Sequence, residues 1–140
     1  MVFGSFDGLH KGHLNFFRQA RKLAKRPFLI VSVARDKNVL KIKGKYPALS
    51  EKKRIALIKR LTKKSTKQSK LVDKVVLSGA KNHIPHIIKE KPGIIALGYD
   101  QRAYVKNLKK NLKKKGANVA IFRLKPYKEK IYKNKLLHVP

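Results

Sequence analysis

Residues 1–13, with the sequence MVFGSFDGLHKGH, decide the fold of this chain. The apolar run at the start predicts a short strand, the glycines predict a tight turn, and the amphipathic pattern that follows predicts a helix. Glycine has no Cβ, so the backbone at Gly4, Gly8 and Gly12 can bend sharply and approach an anion closely. The first N–H groups of the helix would point outward as hydrogen-bond donors. The stretch therefore predicts a phosphate-binding turn between a strand and a helix.

Two histidines lie at the start of that helix. His10 and His13 are three residues apart, so their imidazoles face the same side if the turn is already helical. Both could then donate hydrogen bonds to one oxygen-rich ligand. Taken by itself, an H-x-x-H spacing favours a surface or capping role, and zinc binding ranks lower because no third ligand is evident.

The rest of the chain alternates between short apolar runs and helical stripes. Residues 28–34 form a nearly continuous run rich in β-branched side chains, which is typical of a strand buried on both faces of a parallel sheet. The predicted strands are residues 1–3, 28–34, 72–77, 94–97 and 118–122, and the predicted helices are 12–24, from Ser50 onward, 82–90 and from Val105 onward. We therefore predict an α/β fold, a single three-layer α/β/α Rossmann-like domain over residues 1–140 with a parallel five-stranded sheet.

A polar stretch follows the second predicted strand. Residues 35–49 are predicted to form a loop, and its basic cluster around Lys43 and Lys45 follows the second strand. A charge run is usually only a solvated surface, but ligands of open α/β sheets collect at the carboxyl ends of parallel strands.

His83 and His86 are also three residues apart, but nothing else converges on them, so we predict that they are surface residues.

The charge balance is strongly positive. There are 37 Lys and Arg residues and 7 Asp and Glu residues, which gives a net charge of +30 and a pI near 10.7. Such a charge attracts polyanions, so nucleic acid is a candidate partner. The lysines are spread along the whole chain without a block of stacking aromatics, so a lysine-rich proteome or a salt-adapted surface explains them as well. Nucleic acid is therefore not the favoured partner.

Composition also limits the compartment. The chain contains no cysteine, which excludes disulfides and thiolate metal sites. No apolar run approaches the ~20 residues of a membrane span, and the chain opens on the glycine-rich turn instead of a signal sequence. We expect a cytoplasmic protein that has no membrane partner.

The full string of residues 4–13, G-S-F-D-x-x-H-x-G-H, resembles the signature of the cytidylyltransferase-like nucleotidyltransferases, G-T-F-D-x-x-H-x-G-H, with Ser5 in place of threonine. This resemblance favours the phosphate site over a surface role for the histidines. Further stretches resemble one branch of that superfamily, the archaeal-type FAD synthases. They are residues 33–36 (VARD), 43–47 (KGKYP), 72–74 (VDK), 91–101 (KPGIIALGYDQ), 123–127 (RLKPY) and the helix start through Arg54.

The resemblance implies that AMP from ATP, or CMP from CTP, is transferred to the phosphate of FMN, which gives FAD and releases pyrophosphate. It makes His10 and His13 the catalytic residues, which stabilise charge on the phosphate oxygens. It also implies Mg²⁺ or another divalent cation that accompanies ATP, although the sequence shows no ligand cluster, and it suggests a homodimer. The implied nucleotide-binding residues are Ser5, Phe6, Asp7, His10, Lys11, Gly12, His13, Lys43, Lys45, Arg54, Gly98, Asp100 and Tyr127.

Two segments depart from the family pattern, and one of them is residues 62–70, a polar connection longer than is usual in the family. Family members carry a hydroxyl-rich segment that helps to bind phosphate, whereas residues 131–137 (IYKNKLL) contain no serine or threonine. Three interpretations therefore stay open. The favoured one is an FMN adenylyltransferase, the second is a related transferase that uses another phosphorylated acceptor, such as glycerol 3-phosphate or pantetheine phosphate, and the third is a degenerate member that binds nucleic acid through its basic surface.

Overall fold

The computed structural model describes residues 1–66, 69–102 and 105–126, and its centre is a five-stranded parallel sheet. The strands are β1 (Val2–Gly4), β2 (Ile30–Val33), β3 (Lys74–Leu77), β4 (Ile94–Leu97) and β5 (Ala120–Arg123). The helices are α1 (Lys11–Arg21), α2 (Asp36–Lys43), α3 (Glu51–Lys59), α4 (Ile84–Glu90) and α5 (Leu108–Lys114), and a 3₁₀ turn covers Arg60–Thr62. The strand order is β3-β2-β1-β4-β5, and all neighbouring pairs are parallel. The predicted parallel α/β fold is confirmed.

Apolar side chains form a core on each face of this sheet. On one face, α1 and α3 contribute the fully buried Phe17 and Ile58. On the other face, α4 contributes Ile87, and α5 packs beside it. Val31 belongs to the first core and the preceding residue Ile30 to the second, as the alternation of side chains along a strand requires. Helices cover both faces, which confirms the three predicted layers.

The prediction of a loop over residues 35–49 is wrong in its first half, because α2 occupies Asp36–Lys43. Its buried side chain is Val39, and Gly44 ends the helix in the left-handed conformation with φ of 77°. The contacts that hold its first turn come from outside the local sequence. Asp36 N–H donates to the Glu51 carboxylate at 3.0 Å. A local pattern of lysines around a few apolar residues does not reveal such a partner.

The other elements occur where they were predicted, with different ends. β2 is shorter than the apolar run of residues 28–34, and α1 ends at Arg21. Ser50 caps α3 as predicted, since its side chain accepts from Lys53 N–H. None of the helices in the described part of the chain is long and apolar enough to cross a membrane.

The prediction that His83 and His86 are surface residues is also wrong. α4 packs on the sheet, which half-buries both side chains. His86 Nε2 lies 2.8 Å from Oγ of the buried Ser32, and the His83 ring lies 5.2 Å from the ring of Phe3. Burial lowers the pKa of both imidazoles. They are packing residues of α4 and its N-cap, between the helix and the sheet.

Candidate active site

The turn after β1 folds back on itself around Phe6. This residue is buried and has a positive φ of 51°, and its ring packs against the ring of Phe17 at 5.4 Å and the edge of His13 at 5.5 Å. Gly4 makes room for this arrangement, because a Cβ there would lie 2.7 Å from the Phe6 ring. The Phe6 side chain therefore belongs to the core and fixes the shape of the turn beneath His13.

His10 and His13 form a stacked pair at the start of α1. His10 is the N-cap residue with an extended backbone, and its Nδ1 accepts from Gly12 N–H at 3.0 Å. His13 Nδ1 accepts from His10 N–H at 3.2 Å. The two rings are 3.8 Å apart with an interplanar angle of 24°. The capping role and the predicted convergence of the two imidazoles thus occur together in the same residues.

These hydrogen bonds select the tautomer of both imidazoles. A ring nitrogen that accepts from a backbone N–H carries no proton, so the proton of each neutral ring lies on Nε2. Burial, with the nearby charges of His10 and Lys43, lowers the pKa of His13 to about 4. His13 is therefore neutral near pH 7, and its ring proton lies on Nε2, from which it can be donated to a ligand.

Asp7 ties the turn to the loop that precedes α3. Its two carboxylate oxygens accept from Ala48 N–H at 2.7 Å and Leu49 N–H at 2.8 Å. Burial alone would raise the pKa of Asp7, but these two hydrogen bonds and the cations Arg54 and Lys43 lower it below its usual value. The Asp7 carboxylate is thus already occupied by backbone donors and orders the site.

Arg54 lies behind the turn, fully buried at 0% exposure. Its Nε donates to the Leu49 carbonyl at 3.0 Å, its Nη1 to the Ser5 carbonyl at 2.7 Å and its Nη2 to the Asp36 carboxylate at 2.7 Å. One guanidinium therefore joins the turn after β1, the start of α2 and the loop before α3. In this conformation the side chain offers no exposed surface to a phosphate, in contrast to the contact that the resemblance implied.

Of the predicted lysines, Lys43 reaches the turn. It is the last residue of α2, and its Nζ lies 3.0 Å from Ser5 Oγ, beside His13 and Asp7, whose pKa values its charge lowers. Lys45, two residues beyond, is exposed, and Lys11 is exposed in the first turn of α1. The correction to α2 explains the position of Lys43, because the helix carries its C-terminal end to the turn after β1.

A second turn, residues 98–101, follows β4. It is closed by a hydrogen bond from Gln101 N–H to the Gly98 carbonyl at 3.2 Å, and Asp100 is exposed in it. Arg123, at the end of β5, donates through Nη1 to the carbonyls of Gly98 and Gln101, both at 2.8 Å. Arg102 Nη1 donates to the Gln101 carbonyl at 3.2 Å.

Sequence reasoning did not assign a role to Gln101, Arg102 or Arg123. The sequence contained a signal for two of these residues, since Gln101 and Arg123 lie in the stretches that carry the resemblance. A single arginine does not stand out as functional, however, in a chain with 37 Lys and Arg residues. The structure brings together the predicted residues of the first turn and Lys43, and it places Gly98 and Asp100 in the turn after β4. Tyr127 and residues 131–137 lie outside the described residues.

No group of three His, Cys, Asp or Glu side chains that could hold a metal ion occurs within residues 1–66, 69–102 and 105–126. Near the first turn, Asp7 accepts two backbone N–H groups, and Asp36 is paired with Arg54. These residues do not form a protein-built cage for a divalent cation, which takes six or more oxygen ligands.

Known proteins share both the sequence and the fold of this chain. The sequence model of the family described as cytidylyltransferase-like matches residues 1–135. A protein named FAD synthase from Korarchaeum cryptofilum is 43% identical over 125 residues, which are 89% of this chain and 79% of that protein. Another FAD synthase, from Archaeoglobus profundus, is 40% identical over 126 residues, 90% of this chain and 74% of that protein.

A solved structure shows the same fold. The crystal structure of a protein named lipopolysaccharide core biosynthesis protein, from Thermoplasma volcanium, superposes with a TM-score of 0.76 at 35% sequence identity. The superposition covers 91% of this chain and 95% of that one.

Proposed function

The chain belongs to the cytidylyltransferase-like family, and from this premise we propose that it transfers AMP from ATP to the phosphate of FMN, giving FAD and pyrophosphate. The names of its relatives from Korarchaeum and Archaeoglobus support FMN as the acceptor. The stacked pair of histidines, each of which accepts a backbone N–H at Nδ1, is the observation that carries the chemistry of nucleotidyl transfer.

The reaction needs stabilisation of charge more than movement of protons. A phosphate oxygen of FMN attacks the α-phosphorus of ATP, a new P–O bond forms, and pyrophosphate leaves with the electron pair of the bond that breaks. The attacking and leaving groups are both anions, so neither a general base nor a strong acid is required. His10 and His13 donate from Nε2 to oxygens of the α-phosphate, where negative charge is redistributed in the transition state.

The other residues of the first turn hold the triphosphate in position. Lys43 lies beside His13 and Ser5, where the negative phosphates would approach the stacked histidines. Asp7 and Arg54 act indirectly, since Asp7 bonds to the backbone of Ala48 and Leu49 and Arg54 bonds to the Ser5 carbonyl, and these bonds hold the turn after β1 against the loop before α3. We therefore propose a positioning role for Arg54 in place of direct contact with pyrophosphate.

A divalent cation, expected to be Mg²⁺, would neutralise charge on the triphosphate when bound. Since the described residues provide no cluster of ligands, we propose that it arrives as part of MgATP and takes most of its ligands from phosphate oxygens and water. The substrates ATP and FMN are found in the cytoplasm, and we propose that the protein acts there. The homodimer stays a prediction.

The test is release of pyrophosphate by the purified protein with MgATP or MgCTP and a panel of acceptors that contains FMN. We expect release with ATP that depends on FMN, together with formation of FAD detected by chromatography. Turnover with glycerol 3-phosphate or pantetheine phosphate but not with FMN would reject the flavin acceptor and keep nucleotidyl transfer.

No turnover with any acceptor, combined with salt-sensitive binding of RNA or DNA, would instead favour the degenerate nucleic-acid-binding member. His10→Ala is the negative control for the assay, because any activity that survives in this variant at the wild-type level does not come from the proposed site.

A further inference from the structure

The sheet opens at one place, between β1 and β4. β1 stays paired with β2 to its end, where Gly4 lies opposite Val33 and the Gly4 carbonyl accepts from Ala34 N–H at 2.9 Å. On its other side, β1 is paired with β4 at Val2 and Ala96, whereas β4 stays paired with β5 through its last residue. The two halves of the sheet therefore separate where the strand order reverses, which is where open α/β sheets bind ligands.

The side chain of Gln101 occupies the gap between the two strands. Ala96 N–H donates to the Met1 carbonyl at 3.0 Å, as in a regular parallel ladder. The corresponding bond two residues further on would run from Gly98 N–H to the Phe3 carbonyl. Instead, Gly98 N–H donates to Gln101 Oε1 at 3.2 Å, and Gln101 Nε2 donates to the Phe3 carbonyl at 3.4 Å. The side-chain amide takes the place of one ladder bond and provides partners for both backbone groups.

The backbone of Gln101 is held firmly enough for its side chain to act as a spacer. Its N–H closes the turn onto the Gly98 carbonyl, and its own carbonyl accepts from Arg123 Nη1 at 2.8 Å and from Arg102 Nη1 at 3.2 Å. Arg123 is anchored to β5, so the turn moves with the β4–β5 half of the sheet. The amide of Gln101 then reaches across to the β1 half.

We propose that Gln101 is a positioning residue that wedges the ends of β1 and β4 apart and keeps the nucleotide crevice open. It separates the turn that carries the histidines from the turn that carries Gly98 and Asp100, so that a nucleoside triphosphate fits between them. The amide need not contact the reacting atoms. The identity of the occupant, ATP, rests on the proposed function.

Two substitutions separate the spacing from the hydrogen bonds. Gln101→Ala removes both, so the strands can close and Gly98 N–H can bond directly to the Phe3 carbonyl. We expect the dissociation constant for MgATP, measured by calorimetry, to rise at least 10-fold while the urea midpoint changes little. Gln101→Met keeps the length of the side chain but loses the amide. We expect this variant to have a lower urea midpoint and an affinity for MgATP within about threefold of the wild type.

Each outcome decides the proposal. A Gln101→Ala variant that binds MgATP as the wild type does would overturn the wedge, and so would equal losses of affinity in the two variants, because the lost amide bonds would then explain both. A crystal structure of Gln101→Ala with Gly98 N about 3 Å from the Phe3 carbonyl would support it. A wild-type protein that binds MgATP but makes no FAD would refute the proposed function alone, whereas one that binds no nucleoside triphosphate would refute the wedge as well.

Discussion

Replacement of Arg54 by methionine is expected to destabilise the protein strongly, although the residue lies in a lysine-rich helix that resembles a solvated surface. Methionine fills a similar volume but has no donors, so the Ser5 and Leu49 carbonyls lose their bonds to the guanidinium and the Asp36 carboxylate loses its partner. Removal of one partner of a buried ion pair costs about 3–5 kcal/mol. Asp36 is 29% exposed and can be hydrated in part, so we expect a loss of about 3 kcal/mol.

Urea unfolding followed by circular dichroism measures this loss. With a slope of about 1–3 kcal/mol/M for a small protein, a loss of about 3 kcal/mol lowers the midpoint by about 1–3 M. Arg60→Met is the matched control, because Arg60 is exposed just after α3 and makes no ion pair in the described part of the chain. Its midpoint should shift by less than about 0.5 M, since such surface changes are worth about 0.5 kcal/mol or less.

The same variant tests the positioning role. Activity is measured without urea, at a temperature at which Arg54→Met is still folded. We expect kcat/KM for ATP to fall at least 10-fold, because the guanidinium no longer bonds to the Ser5 and Leu49 carbonyls. A loss of stability below about 1 kcal/mol would refute the inference that the hydrogen bonds of buried Arg54 hold these segments together. Wild-type stability combined with a large loss of activity would instead support direct contact with the phosphates.

The remaining predictions concern the turn after β1. His10→Ala or His13→Ala should each lower turnover by ~100-fold or more with little change in FMN affinity, because the donors act on charge in the transition state; unchanged turnover in both would remove them from the mechanism. The pKa of His13 is about 4 in the folded protein and near 6.5 when unfolded, so the unfolded chain takes up the proton first and stability falls as the pH drops through this range, by at most about 3 kcal/mol. His13→Gln should flatten this part of the pH profile of the urea midpoint, and an unchanged profile would contradict the burial of the imidazole. Gly4→Ala places a Cβ 2.7 Å from the Phe6 ring and should cost about 1–3 kcal/mol in a thermal melt, whereas a neutral result would mean that the ring can move aside. Lys43→Met should raise the KM for ATP about 10-fold and leave the melting temperature within a few degrees, and an unchanged KM would place Lys43 outside the phosphate site.

Local sequence is enough to predict the histidine turn and the sheet around it. A continuous β-branched run such as residues 30–33 has one stable environment, a strand covered on both faces, and the glycines between an apolar run and an amphipathic stripe allow one kind of turn. The parallel sheet and its layers were therefore predictable, as was the edge of the sheet, at the carboxyl side of its strands, where the candidate site lies. The stacked rings of His10 and His13 also follow from neighbours within three residues.

Only the tertiary structure decided what the polar side chains around that turn do. Arg54 bonds to Ser5, 49 residues earlier, and Gln101 reaches Phe3, 98 residues earlier. No periodicity or spacing encodes such pairs, because a buried cation or amide is stable only when the folded backbone brings its partners within hydrogen-bond distance. The sequence by itself thus determined the strands, the turn and the histidines. The three-dimensional packing determined which charged side chains are buried and hold segments together, which of them face the site, and where the sheet opens.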